Sequence, residues 1–244
     1  MRILVVNPNT TQAMTDRMVA VGQTVMGPGT ELVPITAARG VNYIASRPEA
    51  LLAGAELLDL IARHENGADA AIVAAFGDPG LKAARDLFDI PVVGMAEAAM
   101  LSACMLGDRF AFVTFSHTLE RWYADCVAKH GLGARFAGIY IPDAEFASVL
   151  TVQDEIIDDL VTIANEAIDR TNADVVILAG APLAGLASKV APRIGAPVVD
   201  PICAAVCQAE MLVRLGGRDN ASKTIPAKDA VGFSPALSKA IAGG

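Results

Sequence analysis

The chain has 244 residues, 53% of them hydrophobic but only 5% aromatic, with 19% charged and a formal net charge of −8. That supplies ample apolar material for a full core and excludes a disordered chain. The acidic balance, with no dense basic run, argues against a nucleic-acid partner.

Short apolar runs recur along the chain, each closed by a turn signal and followed by a helical pattern. The first, Ile3–Val6, is too short for a signal peptide and reads as a strand. With no uncharged run of membrane-spanning length, the expected location is the cytoplasm. The turn after it, Asn7-Pro8-Asn9-Thr10-Thr11-Gln12, predicts a helix capped by Asn9 with Gln12 in capping-box spacing. Its free N–H groups, with Asn9 and Thr10, suit an anion or a carbonyl oxygen. Glu31–Ile35 is the next strand. The following loop, Arg39–Ile44, is placed to cover a cleft, with Tyr43 offering a hydroxyl and a flat surface. A helix is predicted over Pro48–Glu65, ending near His64.

A buried strand over Ala70–Ala74 then meets Phe76-Gly77-Asp78-Pro79-Gly80. Asp78 before Pro79 predicts the N-cap of a helix over Leu81–Phe88, Phe76 joins the turn, and Gly77 permits close approach of a ligand to the backbone. Val92–Met95 is a strand, with Glu97 just beyond it. Phe110–Thr114 opens the second half and leads into Ser116-His117-Thr118. Of the three histidines, His117 alone stands at a strand-to-helix turn, where imidazole suits acid–base work near neutral pH. His64 and His130 read as helix ends. The remaining elements are strands over Gly138–Ile141, Val175–Leu178 and Val198–Val199, and a helix over Val152–Arg170. The tail carries a Gly217-Arg218-Asp219-Asn220 turn and a short final helix.

The chain repeats itself. IVAAFGDPGL leading to DIPVVGMAEAA returns as VILAGAPLAGL leading to GAPVVDPICAA, and ILVVNPNT returns as FAFVTFSHT. Four shared features in one order mark an internal duplication. The expected fold is α/β, with two pseudo-symmetric lobes, each a parallel sheet flanked by helices, and a ligand cleft between them. Residues 1–97 plus about 203–244 form the first lobe and 98–202 the second. Asn9 and Ser116 are expected to face one pocket, joined there by Thr114, Thr118, Gly180, Ala181 and Pro182. Cys104, Cys126, Cys203 and Cys207 read as ordinary buried thiols, with Cys203 and Cys207 on one helix face. Dinucleotide, P-loop, zincin and serine-elbow motifs do not occur, so neither a cofactor nor a metal is indicated.

VNPNT, FGDPGL, VVGMAEAAM, VTFS, LAGAPLAG and PVVD together resemble the aspartate/glutamate racemase superfamily, and within it the hydantoin and allantoin racemases, over nearly the whole chain. The resemblance implies a cofactor-independent enzyme of two lobes, with a small carbonyl-rich carbon acid as substrate and one cysteine per lobe moving a proton on either face. A homo-oligomer is the expected assembly, with no membrane partner. Here Ala75 stands at the first cysteine position, and Gly180 at the second, or Ala181 if the gap shifts by one. An alanine or glycine carries no proton, so thiol two-base racemisation is not supported. Asp78, His117 or Glu97 would then have to replace the thiols, in an isomerase, lyase or hydrolase step. A ligand-binding protein without turnover is the alternative. Small residues filling both turns favour a natural thiol-free branch.

Overall fold

The computed structural model describes residues 1–216 and 226–243. The Gly217–Asn220 turn lies outside the described residues. The first sheet is built from β1 (Arg2–Asn7), β2 (Glu31–Thr36), β3 (Ala70–Val73) and β4 (Val92–Gly94), with α1 (Gln12–Gly22), α2 (Arg47–His64) and α3 (Leu81–Leu87) between them. Helix α4 (Met95–Leu106) leads into the second sheet. That sheet contains β5 (Phe110–Val113), β6 (Phe136–Tyr140), β7 (Val175–Leu178) and β8 (Val198–Val199). It is interleaved with α5 (Glu120–Lys129), α6 (Val152–Glu155), α7 (Ile157–Thr171) and α8 (Leu186–Val190), and α9 (Pro201–Arg214) and α10 (Pro235–Ile241) follow.

Both sheets are wholly parallel and have one order, β2-β1-β3-β4 and β6-β5-β7-β8. The α/β fold of two like halves is as the sequence reading expected. Central strands are continuous apolar runs because both faces are covered. In β1, Ile3 and Val5 enter a core shared by the two sheets, while Leu4 and Val6 face a second core under α2, α3 and α10. Helix α9 packs back on β3, β4 and α1, and against α4. Each large aliphatic or aromatic side chain fully buried there contributes about 1.5–3 kcal/mol.

Three local expectations are corrected. Met95 begins α4 rather than ending β4, because the chain turns helical directly after Gly94. The predicted helix over Val152–Arg170 breaks at Ile156, whose φ of −120° and ψ of 27° leave the helical region. Cys126 is buried, but Cys104 and Cys203 are half-buried and Cys207 is exposed, because α4 and α9 turn part of their surface outward.

Candidate functional site

The C-terminal ends of β1 and β3 meet the second sheet's β7 turn and α5 around a small cavity. Its walls include Asn9, Tyr43 and Ile44 from the first-sheet loops, Ala75 and Phe76 from the turn after β3, Trp122 and Tyr123 from α5, and Ala181 after β7. Its volume is about 10 Å3, room for a single water. Phe76 stacks across the junction on Tyr123 and Phe112, with ring centroids 4.7 and 5.2 Å apart. Arg17 of α1 ties the halves by donating to the carbonyl oxygens of Pro182 (3.0 Å) and Leu150 (2.7 Å).

The donors facing this cavity differ from the expected ones. The backbone N–H groups of residues 9–11 are consumed internally. Asn9 N–H donates to Asn7 Oδ1, Thr10 N–H to the Val41 carbonyl and Thr11 N–H to Asn9 Oδ1. No capping box forms, because Thr11 is the N-cap of α1 and Gln12 its first residue. With Asn9 Oδ1 occupied, its Nδ2 is left with only the Met14 sulfur, at 3.5 Å, a weak acceptor. The Tyr43 hydroxyl is buried without a well-formed hydrogen bond, and its neighbour is the Tyr123 hydroxyl. Burial pushes both phenols well above their ordinary value, so both stay neutral donors. The cavity thus offers an amide and two hydroxyls, and none of its lining residues is Asp, Glu, His, Lys or Cys.

Ala75 and Ala181 line this cavity. Gly180 sits at φ +128°, and a Cβ built there would lie 3.2 Å from Phe115 Cε1 and 3.3 Å from the Tyr123 hydroxyl. The backbone at this position is shaped for glycine. Gly180→Cys is therefore expected to cost about 1–3 kcal/mol, read as a lower urea midpoint with unchanged slope.

The three side chains expected to replace the thiols lie elsewhere. Asp78 does not cap α3, whose N-cap is Gly80. Its carboxylate turns to the start of α4 and accepts from Ala96 N–H (2.8 Å) and Glu97 N–H (2.7 Å). It fits there because Gly94 has no side chain, and a Cβ at Gly94 would overlap the carboxylate. The second half does the same job differently. Asp200, at the position matching Gly94, caps α9 through Ile202 and Cys203 N–H and also accepts from Gly185 N–H. One helix start in each half holds a carboxylate, delivered from opposite ends of the repeated unit.

Glu97 pairs with the Arg85 guanidinium and lies 3.1 Å from His130 Nδ1, while His130 Nε2 is 3.5 Å from Asp78. His117 has its side chain 73% exposed beside Glu120. None of Asp78, Glu97 and His117 is among the cavity walls. Ser116 and Thr118 bond each other at 2.9 Å on the exposed side and are not among the walls of the cavity that Asn9 lines. Ser116 is spent capping the short 3-10 turn over His117–Leu119. Thr10 is held by Val41, and Pro182 by Arg17 and Gln153. Gly77 lies on the outer side of the turn. Thr114 is fully buried beyond β5, and its hydroxyl has no partner. Met14, Trp122 and Tyr123 are cavity residues that the sequence reading missed, and the last two had a signal. Their signal is an aromatic pair in the first turn of the helix after Ser116-His117-Thr118.

Asp78, Cys126 Sγ and His130 lie within 4.8 Å of one another, a donor set able to hold a metal ion. The His130 charge is already balanced there by two carboxylates. Burial works against the charged ring, but Asp78 and Glu97 outweigh it and lift His130 to about 9. Burial also works against the Glu97 carboxylate, but His130 and Arg85 bring it down to about 2. The protonated ring stabilises the fold fully below its unfolded value of about 6.5, and this is lost as pH rises through about 9. The denaturant midpoint is expected to fall between pH 7 and pH 10, and His130→Gln to flatten that fall.

No helix among the described residues is long and apolar enough to cross a membrane. The family model for Asp/Glu/Hydantoin racemase matches residues 3–209. A hydantoin racemase of Paenarthrobacter aurescens is 34% identical over 218 residues, which are 88% of this chain and 92% of that one. The allantoin racemase of Pseudomonas fluorescens superposes with a TM-score of 0.85 at 32% identity, covering 91% of this chain and 95% of its own. That of Klebsiella pneumoniae gives 0.87 at 30% identity, covering 98% of both. Arylmalonate decarboxylase, at 16% identity, TM-score 0.64 and full coverage of both chains, shares the fold.

Proposed function

Since the chain belongs to the Asp/Glu/hydantoin racemase family, we propose that it is a thiol-free member that enolises a small carbonyl-rich carbon acid of the hydantoin type. The observation that carries this reading is the composition of the small cavity. It holds Ala75 at the expected place of one thiol, Gly180 adjoins it at the other, and its polar groups are neutral donors from Asn9, Tyr43 and Tyr123. Donors of this kind, fixed in place, stabilise an enolate oxygen as negative charge develops there. They lower the barrier to losing the acidic carbon-bound proton without taking that proton themselves. With no base in the walls, the proton passes to and from solvent, and both faces of the planar enolate are reprotonated. The outcome is isomerisation at that carbon.

The same lack of a base favours one other reading, a binding protein without turnover. Proton NMR in deuterium oxide separates the two. Incubation of a single enantiomer of 5-benzylhydantoin with the protein is expected to replace its C5 proton by deuterium faster than buffer does, with matching loss of optical rotation. Saturable binding with exchange no faster than in buffer would establish the binding protein instead.

A further inference from the structure

A cavity of about 10 Å3 cannot hold a five-membered ring, since small-molecule sites span roughly 300–1,000 Å3. Space of that size lies next door. A groove of about 550 Å3 runs between α2 and α5 over the Gly77–Gly80 turn, with Ala50, Leu51 and Leu58 on one wall and Trp122 on the other. Trp122 is the one aromatic residue that lines both the groove and the small cavity. The indole thus stands between them, beside the Ala75–Gly80 turn.

The indole rests on a bare backbone. Gly77 sits at φ +97°, and a Cβ there would come within 2.5 Å of Trp122 Cζ2. Near Trp122, α5 is fastened to α2 by the Arg47–Asp125 pair, whose side chains are 58% and 38% exposed. Exposed pairs of this kind are worth only about 0–1 kcal/mol. The far end of α5 is anchored by the enclosed His130 cluster. The polar tie at the Trp122 end is therefore the weaker of the two, and the indole is held there by packing alone, on Gly77 and beside Tyr123. Leu51, 78% exposed, is a large apolar side chain left on the groove wall, where a ligand would cover it.

We propose that the α2–α5 groove is a second compartment of the binding site, taking the apolar substituent of the carbon acid, and that Trp122 is the movable partition which determines specificity. The ring occupies the space vacated by the indole and meets the donors of Asn9, Tyr43 and Tyr123. Its substituent lies along Ala50, Leu51 and Leu58. This inference rests on the hydantoin-type reading proposed above.

Isothermal titration with unsubstituted hydantoin and with 5-benzylhydantoin tests it in wild type, Leu51→Asp and Trp122→Ala, while the emission of Trp122, the sole tryptophan, reports the indole. Leu51→Asp, at an exposed position, is expected to fold and to weaken 5-benzylhydantoin at least tenfold while hydantoin changes less than twofold. Trp122→Ala is expected to tighten 5-benzylhydantoin at least threefold, and the benzyl ligand to red-shift the wild-type emission. If both ligands bind wild type but Leu51→Asp weakens neither, or both equally, the compartment is overturned while the hydantoin-type reading stands. If neither ligand binds wild type, the hydantoin-type reading itself falls.

Discussion

Gly77→Ala is expected to be among the most damaging single-methyl additions in the chain, at about 2–6 kcal/mol. Two costs add. A side chain at φ +97° is strained by about 1–3 kcal/mol. The new methyl would also lie 2.5–2.6 Å from two indole carbons of Trp122, and overpacking of this sort costs about 1–3 kcal/mol. Trp122 must leave its seat or the turn must move. For a chain of this length the melting temperature should drop by about 4–24 °C, with a red shift in tryptophan emission. A melting temperature within 2 °C of wild type, with unchanged emission, would show that the indole does not pack on Gly77.

Asp78→Ala is expected to cost about 3–5 kcal/mol, the range for breaking a buried charge pair. The substitution removes the acceptor of two α4 N–H groups and one of the two carboxylates facing His130. Asp78→Asn keeps one carbonyl oxygen for the helix start, and its loss should be nearer about 1–2 kcal/mol. The pair of variants also decides what Asp78 does. A positioning carboxylate predicts that folded Asp78→Asn retains substrate exchange within about threefold. Abolished exchange in a stable Asp78→Asn protein would restore Asp78 as an acid–base group.

The fold was legible because its signals are local. Val175–Leu178 and Val198–Val199 are strands at the expected bounds, since an apolar run between turn residues has few other uses. The repeated strand–turn–helix order likewise foretold two sheets of one topology. The site was legible only in part. Asn9, Tyr43, Ala75, Phe76 and Ala181 come together, all carried by turns at strand ends. What failed depends on contacts through space. Nothing adjacent to Asp78 in sequence reveals that Gly94 leaves room for its carboxylate at a helix start 18 residues on. The Pro79-Gly80 that follows makes it look like a local cap instead. Ser116 and His117 match the first half as letters, but Ser116 is spent capping the 3-10 turn and His117 is exposed. Tyr123 and Trp122 lie on a helix whose apolar stripe reads as plain core. The bare backbone of Gly77 that seats the indole is visible only in three dimensions.

The dependence of C5 deuterium exchange on pH, with and without prior iodoacetamide treatment, bears most directly on a site that holds an enolate with neutral donors and no thiol. Exchange that climbs about tenfold per pH unit below the substrate's own ionisation, and that alkylation leaves intact, is the result these donors and a solvent base predict. A plateau set by an enzyme group near neutral pH, abolished by alkylation, would contradict it.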